Sequence, residues 1–67
     1  MQPDPNFDVT TPLVESEWCQ SPAAVRDLID SYMSTDGAEL AKVRVIEFST
    51  GDRLAMGHER DPADFWP

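Results

Sequence analysis

The stretch that decides the fold is Ser21-Pro-Ala-Ala-Val-Arg-Asp-Leu-Ile-Asp-Ser-Tyr-Met33. Ser21 is a favourable N-cap, and Pro22 suits the first helical position, where a missing N–H has no helical partner to lose. Gly37 supplies the left-handed residue that often follows a helix C-terminus. The pattern predicts a helix over residues 22–34, with Leu28 and Ile29 in the core. Its apolar side chains repeat at the spacing of a single helix face, at Val25, Leu28, Ile29, Tyr32 and Met33.

A β-hairpin is predicted after the helix. Residues 43–48 are rich in β-branched and aromatic side chains, and Ser49-Thr-Gly51 is typical of a three-residue hairpin loop. We expect antiparallel strands at about 42–48 and 53–58, with Glu47 facing Arg53 across the ladder. In this register Ile46, Phe48 and Leu54 share one sheet face, and Val43 and Val45 share the other. One face covers the helix, and the second needs another cover.

The segment before the helix is less regular. Residues 1–12 contain three prolines, so we expect a flexible or extended arm, in which Phe7 and Val9 are placed either to dock as an edge strand or to reach a partner. Residues 13–19 fit either a short strand or one to two helical turns. We favour an irregular segment or strand, with Trp18 folded onto the helix.

The C-terminal tail repeats the capping pattern of the helix. Asp61 precedes Pro62, and Asp64 suits the positive end of a short turn. Such a turn projects Phe65 and Trp66. These two aromatics either close the open sheet face or stay exposed as partner-binding anchors.

Together these elements predict one α+β domain over residues 1–67, with one amphipathic helix packed on a small antiparallel sheet. Cys19 is the only cysteine, so an intrachain disulfide is excluded. No apolar run reaches the ~18–20 residues of a membrane span, and the N-terminus lacks a basic region followed by an apolar one. We therefore expect a cytoplasmic protein, in the host cytoplasm if its source is viral.

Negative charge is concentrated in the first part of the chain. The whole sequence has a net charge of −8, and residues 1–41 hold eight acids against the single base Arg26. Such a field repels nucleic acid and anionic membrane and attracts basic protein surfaces, although acidity also serves solubility. The acids we single out as candidate partner-binding residues are Glu15, Glu17, Asp27, Asp30, Asp36 and Glu39.

Catalytic and cofactor patterns are not recognisable in this sequence. His58 is the lone histidine, no glycine-rich phosphate loop occurs, and no acidic loop has the spacing of a calcium site. We therefore expect no enzyme, no cofactor and no metal. An enzyme using Cys19 is a remaining hypothesis that requires a reactive thiol.

Two functional hypotheses follow. In the first, the chain is an acidic protein-binding module that occupies a basic, nucleic-acid-binding site on a larger protein. In size and charge alone, it resembles the small acidic inhibitors that phages encode against host nucleases, restriction or CRISPR systems and host polymerase. In the second, the chain is a homo-oligomeric (for example homodimeric) or accessory structural subunit that pairs through an apolar sheet face and the Phe65-Trp66 tail. Added salt separates them, because it weakens electrostatic binding far more than apolar pairing.

Overall fold

The protein is an α+β domain in which one helix packs against a four-stranded antiparallel sheet. The computed structural model describes residues 6–49 and 56–66. Strands β1 (Asn6–Thr11) and β2 (Val14–Cys19) precede helix α1 (Pro22–Met33), and strands β3 (Arg44–Phe48) and β4 (His58–Arg60) follow it. The sheet order is β2-β1-β3-β4. The predicted fold class is confirmed.

Helix α1 begins and ends where its sequence indicates. The Ser21 hydroxyl accepts a hydrogen bond from the backbone N–H of Ala24 at 3.1 Å, and Pro22 occupies the first turn. Ser34 caps the C-terminus, and Gly37 has a φ of 74° in the chain reversal that follows. The Tyr32 hydroxyl then accepts the N–H of Glu39 at 3.1 Å, which ties the segment after the helix back to its last turn. A short 3₁₀ turn, Leu40–Lys42, leads into β3.

Strand β1 lies inside the sheet, so residues 6–11 are extended and docked as predicted, but as an interior strand rather than a flexible arm or an edge strand. β1 pairs with β2 on one side and with β3 on the other. Phe7 is 2% exposed and Val9 is fully buried, both beneath the helix. Burying these two side chains while pairing both edges of the strand favours the sheet over a solvated arm. The tight connection to β2 is held by the Thr11 hydroxyl, which accepts the N–H groups of Leu13 and Val14.

The helix covers only one face of the sheet. Val9 and Val45 are cross-strand neighbours on that face, which confirms the predicted separation of Val43 and Val45 from Ile46 and Phe48. The buried cluster between helix and sheet consists of Phe7, Val9, Cys19, Val25, Ile29, Tyr32, Val43 and Val45.

Trp18 lies on the sheet face opposite the helix, so its predicted packing onto the helix is wrong. Its ring contacts that of Phe48, with centroids 5.4 Å apart and planes tilted by 41°. Cys19, the next residue along β2, points into the core, and alternation along the strand turns Trp18 the other way. β2 itself is a strand, which decides between the two conformations that its sequence allowed.

The predicted hairpin register is also wrong. The cross-strand neighbours of Glu47 are Phe7 and His58, so the predicted pairing with position 53 is not formed, and its carboxylate binds Arg60. β3 pairs with β1 on one side and with β4 on the other, and the pairing of Glu47 with His58 is farther along the chain than the predicted three-residue loop allows. In the described residues the returning strand is His58–Arg60, whereas the predicted strand ends at residue 58. Residues 50–55, with most of the predicted loop, lie outside the described residues.

Candidate protein-binding face

One side of helix α1 faces the outer strand β2 across an open groove. The groove has a volume of about 500 Å³. Its helical wall is a stripe at the i, i+3, i+4 and i+7 spacing that places side chains on one face. Its other wall is the end of β2 and the residue that follows. Eight residues line it: Glu17, Trp18, Cys19, Gln20, Ala24, Asp27, Leu28 and Ser31.

The groove combines apolar walls with two acids that are ten residues apart in sequence. Ala24 and Leu28 are half-buried and pack against the core, yet they also border the groove. Glu17 enters from the strand and Asp27 from the helix, and both residues are exposed. The fold therefore joins the acids of β2 to those of α1 on a single face, which we call the β2–α1 face.

A second, smaller depression of about 230 Å³ adjoins this face. Arg26, Asp27, Asp30 and Trp66 line it, so Asp27 borders both hollows. The indole N–H of Trp66 donates to the Asp30 carboxylate at 3.4 Å. Asp30 therefore holds the C-terminal tail against the helix, in addition to carrying charge. Among the described residues, Arg26 is the one base that lines either hollow.

Salt bridges in the described part of the chain lie away from the β2–α1 face. Arg44 pairs with Glu59 at 3.6 Å, Arg60 with Glu47, and Lys42 with Glu39 at 3.4 Å. Arg60 also reaches Asp64, and its hydrogen bond to Glu47 raises the pKa of the guanidinium further above its ordinary range. Within residues 6–49 and 56–66, no salt bridge involves Glu15, Glu17, Asp27, Asp30 or Asp36.

The structure separates the sequence-predicted acids into two groups. Glu17, Asp27 and Asp30 border the two hollows, and Glu15 lies one strand repeat from Glu17. Asp36 and Glu39 follow the helix and line neither hollow, and Glu39 is partly neutralised by Lys42. The row of six acids is therefore not continuous.

The two tail aromatics pack beside the helix. Asp61 caps a 3₁₀ turn at Pro62–Asp64, as its sequence indicates, by accepting the N–H of Ala63 at 3.0 Å. Phe65 makes an edge-to-face contact with the buried ring of Phe7, with centroids 5.3 Å apart. The Arg60 guanidinium lies 5.2 Å from the centre of the Phe65 ring on the same side of the sheet. Phe65 therefore extends the core, whereas half-buried Trp66 keeps part of its surface in contact with solvent.

Cys19 is poorly suited to nucleophilic chemistry. Burial raises the pKa of its thiol, and the charges of Glu17 and Asp8 raise it further. A thiol with a raised pKa carries little thiolate near neutral pH, and the thiolate is the reactive form. Among the described residues, no group of three or more metal-ligating side chains comes together.

The groove-lining role of Ala24, Leu28 and Ser31 was missed at the level of sequence. Leu28 was assigned wholly to the core because its spacing matches that of Ile29. The i, i+3, i+4, i+7 relation of Ala24, Asp27, Leu28 and Ser31 was present in the sequence. Only the position of β2 beside that stripe makes it one wall of a groove.

The chain matches no protein-family model, no characterised protein and no solved structure. None of the helices in the described residues is long and apolar enough to cross a membrane. The function is therefore argued from the face itself.

Proposed function

We propose that the protein is a small acidic protein-binding module that presents its β2–α1 face to a basic surface of a larger protein. One observation carries the proposal. Across the described residues, the bases Lys42, Arg44 and Arg60 sit in salt bridges elsewhere, and Arg26, which lies beside Asp27 and Asp30, is in no salt bridge. The acids of this face therefore outnumber the single base near them. Uncompensated charge on one face steers association with a surface of opposite charge.

An inhibitor that occupies a nucleic-acid-binding site is the specific form of this function that we propose. Asp27 and Asp30 lie one helical turn apart, about 5–6 Å between their Cβ atoms. Two carboxylates at this spacing can take the place of backbone phosphates against lysine and arginine side chains. A surface built to bind phosphates is basic, and it is therefore complementary to this face.

The test begins with affinity capture of the partner on the immobilised chain at low and high salt, followed by kinetics with the purified partner. The variant is Glu17→Lys with Asp27→Lys, because neither carboxylate makes a salt bridge and both residues are exposed. We expect the association rate to fall about tenfold or more at low salt, since steering accelerates association by 10–10³. Circular dichroism should show an unchanged fold.

The matched control is Asp36→Lys with Glu59→Lys, which changes the net charge equally but lies away from the groove. It should slow association less. Equal slowing by both variants would mean that net charge alone attracts the partner. For the inhibitor form, a DNA or RNA duplex should compete with the chain for the partner, and a partner that binds both at once would contradict it.

A second candidate is a homo-oligomeric or accessory structural subunit that pairs through the sheet face opposite the helix. It is favoured by Met56, which is 83% exposed and precedes Gly57, a residue that lies against Ile46 and Phe48. In this case sedimentation equilibrium would show an oligomer that persists at high salt. A monomer across the micromolar range would exclude the homo-oligomeric form.

A further inference from the structure

Strand β2 is an outer strand, and its outer edge is the starting point of this inference. In the described residues β2 pairs with β1 alone, over six residues from Val14 to Cys19. Every second residue of an outer strand directs its backbone N–H and C=O away from the sheet. Extended peptides bind such edges by adding a strand, with main-chain hydrogen bonds for affinity and side-chain pockets for specificity.

The groove lies where side chains of an added strand would project. A new strand lies about 4.8 Å beyond β2, and its side chains alternate between the two sheet faces. Those on the helix side would enter the groove between β2 and the stripe formed by Ala24, Leu28 and Ser31. The groove thus supplies an apolar floor for the aliphatic stems of long side chains, beside a row of backbone groups.

Charge decides between the possible occupants of this edge. If a second copy paired antiparallel about Ser16, Glu15 would lie opposite the copy's Glu17, and like charges directly opposite each other destabilise a ladder. The same glutamates, with Asp27 across the groove, favour lysine or arginine in the added strand. In that register the edge disfavours its own copy, and its charge suits a basic segment.

We infer that β2 accepts an extended, basic segment of the partner as a fifth strand, with its lysine or arginine side chains on the helix side, where their aliphatic stems lie in the β2–α1 groove. This inference rests on the proposed function and specifies how the partner is held. It predicts that binding depends on the backbone N–H groups of the partner segment as well as on its charge.

Backbone-modified peptides separate strand addition from attraction by charge. The probe is an acetylated, amidated hexapeptide in which lysine and valine alternate, matched in length to β2. Two further peptides carry N-methyl groups either on the three lysine amides or on the three valine amides, with the same composition and charge. In an added strand, one set of amides faces β2 and the other faces solvent.

Binding is followed by ¹⁵N NMR titration of the full chain. One methylated peptide should lose affinity by about tenfold or more, because it removes several inter-strand hydrogen bonds. The other should bind as the unmodified peptide does, and amide shifts should concentrate on residues 14–19. Glu15→Gln with Glu17→Gln should weaken binding more than the matched control Asp36→Asn with Glu59→Gln.

Three results would overturn strand addition. The first is equal binding by both methylated peptides, with amide shifts on α1 instead of β2. In that case the proposed function would still stand, provided that Glu17→Lys with Asp27→Lys slowed partner association. The second is no binding by any of the peptides. The third is a concentration-dependent shift of the β2 amides without peptide, which would show that a second copy occupies the edge. The proposed function fails separately, if the charge-reversed variant associates with the partner normally.

Discussion

Replacing Ile29 and Leu28 separately by alanine tests the orientation of the helix. Both belong to the apolar stripe, but Ile29 has 0% exposure within the central cluster, whereas Leu28 is half-buried and borders the groove. Truncation of a buried aliphatic side chain to alanine costs about 2–5 kcal/mol, including the cavity that remains. Because Ile29 is fully enclosed, we expect Ile29→Ala to lower the free energy of unfolding by about 3–4 kcal/mol. Leu28 contacts solvent, so Leu28→Ala should lower it by about 1 kcal/mol.

These losses are large relative to the stability of so short a chain. At roughly 0.05–0.15 kcal/mol per residue, a chain of 67 residues has a free energy of unfolding of about 3–10 kcal/mol. Ile29→Ala therefore removes about a third or more of that free energy, whereas Leu28→Ala removes a much smaller share. A ligand that fits the groove should also respond to Leu28→Ala, since this side chain forms part of the groove wall.

Urea unfolding, followed by circular dichroism and tryptophan fluorescence, measures the difference. With an m-value of about 1 kcal/mol/M, the midpoint should fall by about 3–4 M for Ile29→Ala and by about 1 M for Leu28→Ala. Asp27→Ala, on the exposed face, is the control and should change stability by less than about 0.5 kcal/mol. Equal midpoints for the two core variants, or a reversed order, would refute the helix orientation on which the groove depends.

Two other predictions concern Gly57 and Cys19. A Cβ at Gly57 would lie 2.5 Å from Ile46 Cγ2 and 2.8 Å from the Phe48 ring, so Gly57→Ala should destabilise the domain by about 1–3 kcal/mol; a melting temperature equal to that of the wild type would contradict this packing. For Cys19, the pKa in the folded state is raised above its ordinary value of 9.0, first by burial and then by neighbouring carboxylates. Burial of the neutral thiol therefore contributes its full stabilisation below the pKa that Cys19 has in the unfolded state. That contribution is lost as the pH rises through the pKa of Cys19 in the folded state. Relative to Cys19→Ala, the wild type should lose stability as pH rises above about 9, and parallel stability curves would disprove the shift.

Local chemistry explains why some elements were predictable from the sequence. The helix has an apolar stripe, a serine cap and a proline in its first turn, all within thirteen consecutive residues. Its start at Pro22 and the nearby end at Met33 agree with the prediction to within one residue. The same holds for the Asp61 cap and for the alternation that puts Val45 and Ile46 on opposite sheet faces. These features depend on neighbours in sequence, so the sequence alone determines them.

Strand partners and the composition of the face were decided by tertiary structure. The sequence shows Phe7 and Val9 at strand spacing, but nothing local reveals that β1 lies between β2 and β3. Nor does anything local reveal that Glu47 lies opposite His58 and binds Arg60. The same long-range arrangement placed Glu17 beside Asp27 across a groove. A residue pattern specifies which side of a strand or helix is apolar. Which strand or helix packs beside it depends on the packing free energy of the whole chain. That long-range packing assembled the candidate site.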